Sequence, residues 1–186
     1  MIVVVKVGSS SLTDDDGRLK PPVFDKIAAE LVAAIDAGHR PVLVSSGAIA
    51  AGLPALGMSA GDRPRDARTL QAVAAVGQSL LMAGYRAAFE ATGREVVVGQ
   101  VLLTAEDLHR RTTYLQARDT LGRLLELGVV PVVNENDTVT DEEIRLGDND
   151  RISALVAQLV GADLLVLLTD AAGLLTADPR RDARRR

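Results

Sequence analysis

Short apolar runs alternate with longer amphipathic segments along most of the chain. Residues 3–7 form a run of valines interrupted by Lys6, a pattern typical of a strand that is buried on both faces. Similar apolar runs occupy residues 41–45, 95–102, 129–133 and 163–168. The pattern therefore predicts five strands.

Helices are predicted between these strands. Residues 21–37 have the periodicity of an amphipathic helix, with Pro21 at its start and Gly38 just past its end, as helix termini prefer. Further helices are predicted over residues 48–56, 66–92, 111–127 and 148–160. Because strands and helices alternate through short connections, we expect an α/β fold with a mostly parallel sheet and helices on both faces.

Polar segments are predicted to lie outside these elements. Residues 13–20 are polar, with three aspartates and a glycine, and residues 57–65 contain Gly, Ser, Asp and Pro. Both segments are expected to form exposed loops. Residues 139–146 could form a hairpin over a site, and residues 169–177 a turn. The arginine-rich residues 180–186 are expected to be a frayed, solvated end rather than a binding segment.

Composition limits the core and the partners. The 186 residues fit one domain spanning residues 1–186, and a hydrophobic content of 47% with only 2% aromatic residues predicts an aliphatic core. The net charge of −4 and the lack of Trp argue against a nucleic-acid partner. Without Cys, disulfides, thiolate metal sites and a Cys nucleophile are excluded. With no membrane-length apolar run and no basic leader, the expectation is a cytoplasmic protein with no membrane partner.

The first candidate for chemistry is the segment Lys6-Val7-Gly8-Ser9-Ser10. A lysine at the end of a buried strand is costly unless its ammonium faces a cleft or an anion. Gly8 permits a close approach of the backbone, and the serines add hydrogen-bond donors, so the segment suits a phosphate. It is not a Walker loop, because the sequence contains no G-x-x-x-x-G-K-[ST] motif. The alternative is an ordinary turn with an exposed lysine.

Polar residues follow two further strands. Ser45-Ser46-Gly47 leads into a predicted helix whose free amides favour an anion, although either serine could simply be an N-cap. The segment Asn134-Glu135-Asn136-Asp137 follows residues 129–133. Its amides and carboxylates fit an amino-acid ligand, with a structural turn as the alternative.

Acidic residues also mark the start of the last predicted helix and the end of the last strand. Asp148 is a plausible N-cap, and Asp150 lies in the first turn, where its charge suits the helix dipole. Asp150 could also hold the lysine that touches a phosphate. Thr169-Asp170 could contact a nucleotide or start a turn. His39 and His109 lack metal-ligand spacing and are expected to be surface residues.

Together these blocks resemble the amino-acid kinase family, and within it the branch that phosphorylates the side chain of glutamate. The blocks follow the family's order along nearly the whole chain. They comprise residues 5–10, 45–52, 74–78, 117–121, 133–137, 147–150, 168–170 and 176–179. The Ser-Gly-Ala-Ile-Ala-Ala-Gly and Asn-Glu-Asn-Asp blocks are the most specific to that branch.

The resemblance implies an αβα sandwich and ATP-dependent phosphorylation of the L-glutamate side-chain carboxylate, giving glutamyl 5-phosphate for proline synthesis. It implies Mg²⁺ with the nucleotide and proline as feedback inhibitor, and a homo-oligomer is also expected. Carried over by position, the catalytic residues are Lys6, which would stabilise the transferring phosphoryl group, and Asp150, which would orient the lysines of the site. The implied glutamate-binding residues are Ser46, Asn134, Asp137 and Asn149. The implied ATP-binding residues are Lys6, Gly8, Ser9, Thr169 and Asp170, and no residue is assigned to a metal.

The sequence departs from the family pattern in two ways. Leu175 replaces an aromatic residue that is common in that turn. The family also continues past the Ala-Asp-Pro block with a glycine-rich nucleotide segment and a second lysine, which these 186 residues lack. The chain is therefore expected to be the N-terminal portion of the kinase domain and inactive alone. The alternatives are a non-catalytic module that binds glutamate or proline, and a sister kinase with another acceptor.

Overall fold

A computed structural model of the chain describes residues 1–14, 16–59, 61, 63–139 and 148–169. Its strands are β1 (Ile2–Val7), β2 (Arg40–Val44), β3 (Val98–Leu103), β4 (Val130–Glu135) and β5 (Leu164–Leu168). Its helices are α1 (Ser9–Leu12), α2 (Pro21–Asp36), α3 (Ala48–Ala55), α4 (Ala67–Ala91), α5 (Ala105–His109), α6 (Arg111–Glu126) and α7 (Asp148–Leu159).

The five strands form one sheet in the order β3-β4-β2-β1-β5, and every pair is parallel. The register pairs Lys6 with Val44, Val7 with Leu168, and Val44 with Val133. The carboxyl ends of β1, β2, β4 and β5 therefore reach the same edge of the sheet. This edge is where open α/β sheets bind ligands.

Helices cover both faces of the sheet, as predicted. In β2, Leu43 packs on one side with residues of α2 and α4, including Phe24 and Leu81. Its neighbours Val42 and Val44 pack on the other side with residues of α6 and α7, including Leu121 and Ile152. Successive residues of a strand point to opposite faces, so a strand between two helical layers is apolar throughout.

Aromatic side chains contribute more to the core than the composition suggested. Phe24, Tyr85 and Phe89 are among the largest fully buried side chains, so the expectation of a purely aliphatic core was wrong. Phe24 and Tyr85 pack with ring centroids 4.7 Å apart. Burial raises the pKa of the Tyr85 hydroxyl, which pairs with Ser45 Oγ at 2.8 Å. A polar aromatic buried this way needs a hydrogen-bond partner, and Ser45 provides it.

The structure differs from the predicted elements at two short helices. The four-residue α1 follows β1, where no helix was predicted. The five-residue α5 was not predicted, although Thr104 and Asp107 form a reciprocal capping box at its start. Helices this short carry too few turns to show an apolar period.

Strand β5 lies at one edge of the described sheet and carries exposed apolar side chains. Leu167 is 49% exposed and Leu164 is 48% exposed. An apolar groove of about 590 Å³ runs between α2 and the strands β1 and β5, and Val166 and Leu168 of β5 line it. An apolar edge strand of this kind favours pairing with another chain. No helix in the described ranges is both long and apolar enough to cross a membrane.

Candidate active site

The carboxyl edge of the sheet collects four of the segments in which the sequence predicted chemistry. Ser45 follows β2, and its backbone N–H donates to the Val133 carbonyl of β4 at 2.8 Å. The register places Gly8, which follows β1, next to Thr169, which follows β5. Residues far apart in sequence thus line one edge.

Lys6 and Asp150 form the charged pair of this edge. Lys6 Nζ lies 2.6 Å from Asp150 Oδ1, and the side chains are 15% and 58% exposed, respectively. Lys6 belongs to β1 and Asp150 to the first turn of α7. Because its aliphatic stem is enclosed while its ammonium is held at the edge, Lys6 is placed to meet an anion there.

Small residues leave room around the Lys6 ammonium. A Cβ added to Gly8 would lie 3.4 Å from Lys6 Nζ, and one added to Gly47 would lie 3.5 Å from Ser9. Gly47 has a φ of +92°, a conformation that side chains rarely adopt. The start of α1 and the loop after β2 therefore approach each other through Ser9 and Gly47.

Ser45 and Ser46 are not helix caps. The N-cap of α3 is Gly47, without a side-chain capping bond. Ser45 instead bonds to Tyr85, and Ser46 is buried at the crevice edge. The capping alternative for these serines was wrong because α3 begins one residue later than a Ser46 cap requires and two residues later than a Ser45 cap requires.

Asp137 is a half-buried carboxyl just past the end of β4. Burial raises its pKa to about 6, and the positive charge of Arg63 partly offsets that rise. A carboxyl with a pKa so far above the ordinary value is a candidate for ligand binding. Arg63 was not singled out in the sequence, because it lies in a loop with no motif of its own.

The side-chain oxygen of Asn149 has no hydrogen-bond donor within the described structure. This oxygen, Oδ1, is buried. A buried acceptor without a donor costs free energy, so a bound ammonium or amide at this point would stabilise it. Asn149 lies in the first turn of α7, next to Asp150.

Asn134 lies deeper than the sequence suggested. The strand β4 continues through Asn134 and Glu135, so the prediction that the strand ends at residue 133 was wrong. Asn134 is only 2% exposed. Its Nδ2 donates to Gln78 Oε1 at 3.3 Å, and its Oδ1 accepts from the backbone N–H of Glu135 at 2.9 Å. The Gln78 side chain was not predicted to have a role in the site.

Other candidates are placed more simply. Thr169 is exposed after β5. Asp170 lies outside the described residues. The same is true of residues 140–146 of the predicted hairpin, residues 170–177 of the predicted turn, and residues 180–186. His109 is exposed, and its Nδ1 pairs with the Ala105 carbonyl, as expected for a surface residue. Across the described ranges, no group of three or more His, Asp or Glu side chains could hold a metal ion.

This architecture defines an α/β protein whose parallel sheet presents a lysine, small-residue loops and amide groups at one edge, a site suited to an anionic ligand. The amino acid kinase family model matches residues 1–186. The chain belongs to that family.

Sequence relatives narrow the comparison. Over 184 residues the chain is 56% identical to the glutamate 5-kinase of Bifidobacterium longum subsp. infantis, covering 99% of this chain and 48% of that protein. It is 59% identical to the glutamate 5-kinase of Frankia casuarinae over 180 residues, which is 96% of this chain and 46% of the relative. The chain therefore spans about half the length of the relatives it matches.

A solved structure has the same fold. The UMP kinase from Bacillus anthracis superposes with a TM-score of 0.61 at 16% identity, over 99% of this chain and 71% of that one. At this identity the likeness concerns the fold alone. The predicted α/β sandwich of the amino-acid kinase type is confirmed.

Proposed function

We propose that the chain is part of a glutamate 5-kinase, which transfers the γ-phosphoryl group of ATP to the side-chain carboxylate of L-glutamate. The observation that carries the proposal is the Lys6 ammonium, held 2.6 Å from Asp150 beside Gly8 at the carboxyl edge of the sheet. The similarity to glutamate 5-kinases over 99% of the chain supports this choice of acceptor.

The proposed chemistry asks little of the protein beyond position and charge. A carboxylate oxygen of glutamate attacks the γ-phosphorus as the bond to ADP breaks, and negative charge develops on the phosphoryl oxygens. Lys6 would neutralise that charge, with Asp150 fixing its ammonium. Gly8 and Ser9 would let the backbone approach the phosphates, and Thr169 and Asp170 would contact the nucleotide. Mg²⁺ would arrive bound to the phosphates of ATP.

The proposed glutamate site combines a carboxylate with amide and hydroxyl groups at the same edge of the sheet. The ionised Asp137 would attract the ammonium of the amino acid. Asn149 would offer its unpartnered oxygen, and Ser46 would offer a hydroxyl from the loop after β2. Asn134 would form part of the floor of the glutamate site, since its side chain is nearly enclosed. Proline also carries an ammonium and an α-carboxylate, although its ammonium is part of a ring, so it would compete for this pocket as a feedback inhibitor.

An acceptor screen tests the function. The chain is incubated with MgATP and L-glutamate, L-aspartate, N-acetyl-L-glutamate or UMP, and acceptor-dependent ADP release is measured. Release with glutamate alone supports the proposal. Release with another acceptor would identify a sister kinase. Glutamate or proline binding without release is also expected if turnover needs the longer protein, so it would identify a binding module only if the chain joined to the remaining half of the Bifidobacterium relative also fails to release ADP.

We also propose that efficient turnover needs the longer protein represented by the relatives, where a homo-oligomer is the expected assembly. The support is that the chain aligns with less than half of each relative and that β5 presents exposed leucines at the sheet edge. We expect the 186 residues alone to release ADP at least about 100-fold more slowly than the full-length Bifidobacterium relative in the same assay. Equal rates would contradict this proposal and leave the choice of acceptor standing.

Asp137 is expected to make glutamate binding depend on pH. Its pKa of about 6 without ligand means that protonation removes the charge that attracts the ammonium. Below pH 6, glutamate affinity should fall up to about tenfold per pH unit, and binding near pH 6 should release a proton. Calorimetric titrations in buffers of different ionisation enthalpy measure both effects.

The Asp137→Asn variant checks that assignment. At pH 8 it should raise the glutamate Kd at least about tenfold and lose the steep pH dependence below pH 6. Asp119→Asn is the matched control, because Asp119 is an exposed carboxyl on α6 paired with Arg118. An Asp137→Asn protein with the affinity and pH profile of the control would exclude Asp137 from the site.

A further inference from the structure

Gln78 is a polar side chain on the face of α4 that packs toward the sheet. It is only 7% exposed, and the buried positions around it on α4 are apolar, including Val73, Ala74 and Leu81. An amide at such a position loses its hydration and needs compensating hydrogen bonds. A leucine or methionine would fill the same space at lower cost, so packing alone does not account for Gln78.

The amide of Gln78 is used at both ends. Its Oε1 accepts from Asn134 Nδ2 at 3.3 Å and from Gln100 Nε2 at 3.1 Å. Its Nε2 donates to the backbone carbonyl of Glu135 at 3.2 Å. An amide is one of the few uncharged groups that accept and donate at adjacent positions, and both bonds to β4 require that combination.

These bonds fix the last two residues of β4. The bond from Asn134 sets the orientation of its amide, whose oxygen then accepts from the Glu135 backbone N–H. The bond to the Glu135 carbonyl fixes the peptide that leads toward Asp137. Asn134 and Asp137 are both proposed glutamate-binding residues, and Gln78 is joined to the strand end that carries them.

We propose that Gln78 is a positioning residue for amino-acid binding: it sets the Asn134 amide and the Glu135 carbonyl, and so holds the end of β4 that leads to Asp137. The proposal rests on the glutamate site proposed above. It predicts that Gln78 affects the affinity of the folded protein for glutamate without touching the ligand, whereas a residue needed only for packing would affect stability.

The first experiment measures the glutamate Kd of the 186-residue chain by calorimetry. Gln78→Met keeps the length of the side chain and removes all three hydrogen bonds, and should raise the glutamate Kd about tenfold or more. Gln100→Met removes the bond from the exposed Gln100 and leaves those to β4. Gln158→Met makes the same chemical change on the exposed side of α7. Both controls should stay within about twofold of the parent chain.

A second experiment needs no ligand. In ¹⁵N-labelled protein, the side-chain amide signals of Asn134 should shift and exchange faster with solvent in Gln78→Met, and should change little in Gln158→Met. If the parent chain fails to bind glutamate, the proposed function fails, while the Asn134 signals still decide whether Gln78 orients that amide.

A second substitution, Gln78→Glu, tests the proposal if Gln78→Met fails to fold. Burial would raise the pKa of the added carboxyl, so Gln78→Glu is measured at a pH high enough to ionise it. The ionised side chain still accepts from Asn134 and Gln100 but cannot donate to the Glu135 carbonyl, so its glutamate Kd should also rise. The proposal is overturned if the folded variant, Gln78→Met or Gln78→Glu, keeps the parent's glutamate Kd. It is equally overturned if Gln78→Met leaves the Asn134 signals unchanged.

Discussion

Replacing Lys6 with methionine is expected to lower kcat by at least about 100-fold, with a much smaller change in the glutamate KM. Methionine preserves most of the side-chain length, but it removes the charge that would neutralise the transferring phosphoryl group. Contacts that act on developing charge lower kcat when they are lost, whereas contacts equal in ground and transition states change KM. Steady-state kinetics with varied glutamate at saturating MgATP separates these effects.

Lys26→Met is the control for this change, because Lys26 is an exposed residue of α2. Where turnover of the chain is too slow to measure, the same substitution is made at the matching lysine of the full-length Bifidobacterium relative. Asp150→Asn should lower kcat as well, since it releases the Lys6 ammonium from its partner at 2.6 Å. A Lys6→Met protein with the kcat of Lys26→Met would remove Lys6 from the chemistry.

Replacing Gly77 with alanine is expected to lower the free energy of unfolding by about 3 kcal/mol or more. A Cβ at this position would lie 1.7 Å from the Ala48 carbonyl oxygen and 2.6 Å from its carbon. These are backbone atoms of α3, so no rotamer change relieves the overlap, and α3 must move away from α4. Urea unfolding followed by circular dichroism measures the loss.

Gly122→Ala is the matched control for Gly77→Ala. Gly122 also lies inside a helix, but an added Cβ there would meet nothing within 4 Å. This change should be neutral or stabilise the chain by up to about 1 kcal/mol, because alanine is the better helix former. If both variants unfold at the same urea concentration, the close approach of α3 and α4 through Gly77 is wrong.

The overlap at Gly77 also reaches the proposed site. Ala48 is the first residue of α3, directly after the Ser45-Ser46-Gly47 loop. A displacement of α3 therefore shifts this loop at the crevice edge. Any folded Gly77→Ala protein should bind glutamate more weakly than Gly122→Ala.

Much of the fold could be predicted from local pattern. The five apolar runs are strands because a strand buried on both faces cannot carry many polar residues. The amphipathic segments are helices for the matching reason, and α2 begins at Pro21 as predicted. The errors in the prediction concern the end of a strand and two short helices. Strand β4 includes Asn134 and Glu135 because their polar groups find partners on α4, which an apolar-run rule cannot anticipate.

In the candidate site, too, some residues could be predicted from the sequence, whereas the contacts between distant residues could not. The sequence identified Lys6, Gly8, Asp137 and Asn149 as chemically notable. It could not reveal that Asn134 faces Gln78, because 56 positions separate the two residues. Nor could it reveal that Arg63 influences the Asp137 carboxyl, since a loop arginine has no characteristic spacing.

The sequence by itself determined the five strands and the five longer helices, the alternation that makes the sheet parallel, and the family, because these depend on periodicity and on short contiguous motifs. The sequence suggested that Asp150 holds the lysine, but only the tertiary structure decided that these two charges meet and which polar groups are enclosed. The pairing of Lys6 with Asp150 and the burial of the Asn149 oxygen depend on how α7 docks against β1. Docking is set by packing among residues far apart in the chain, and electrostatic energies follow from the resulting distances and burial.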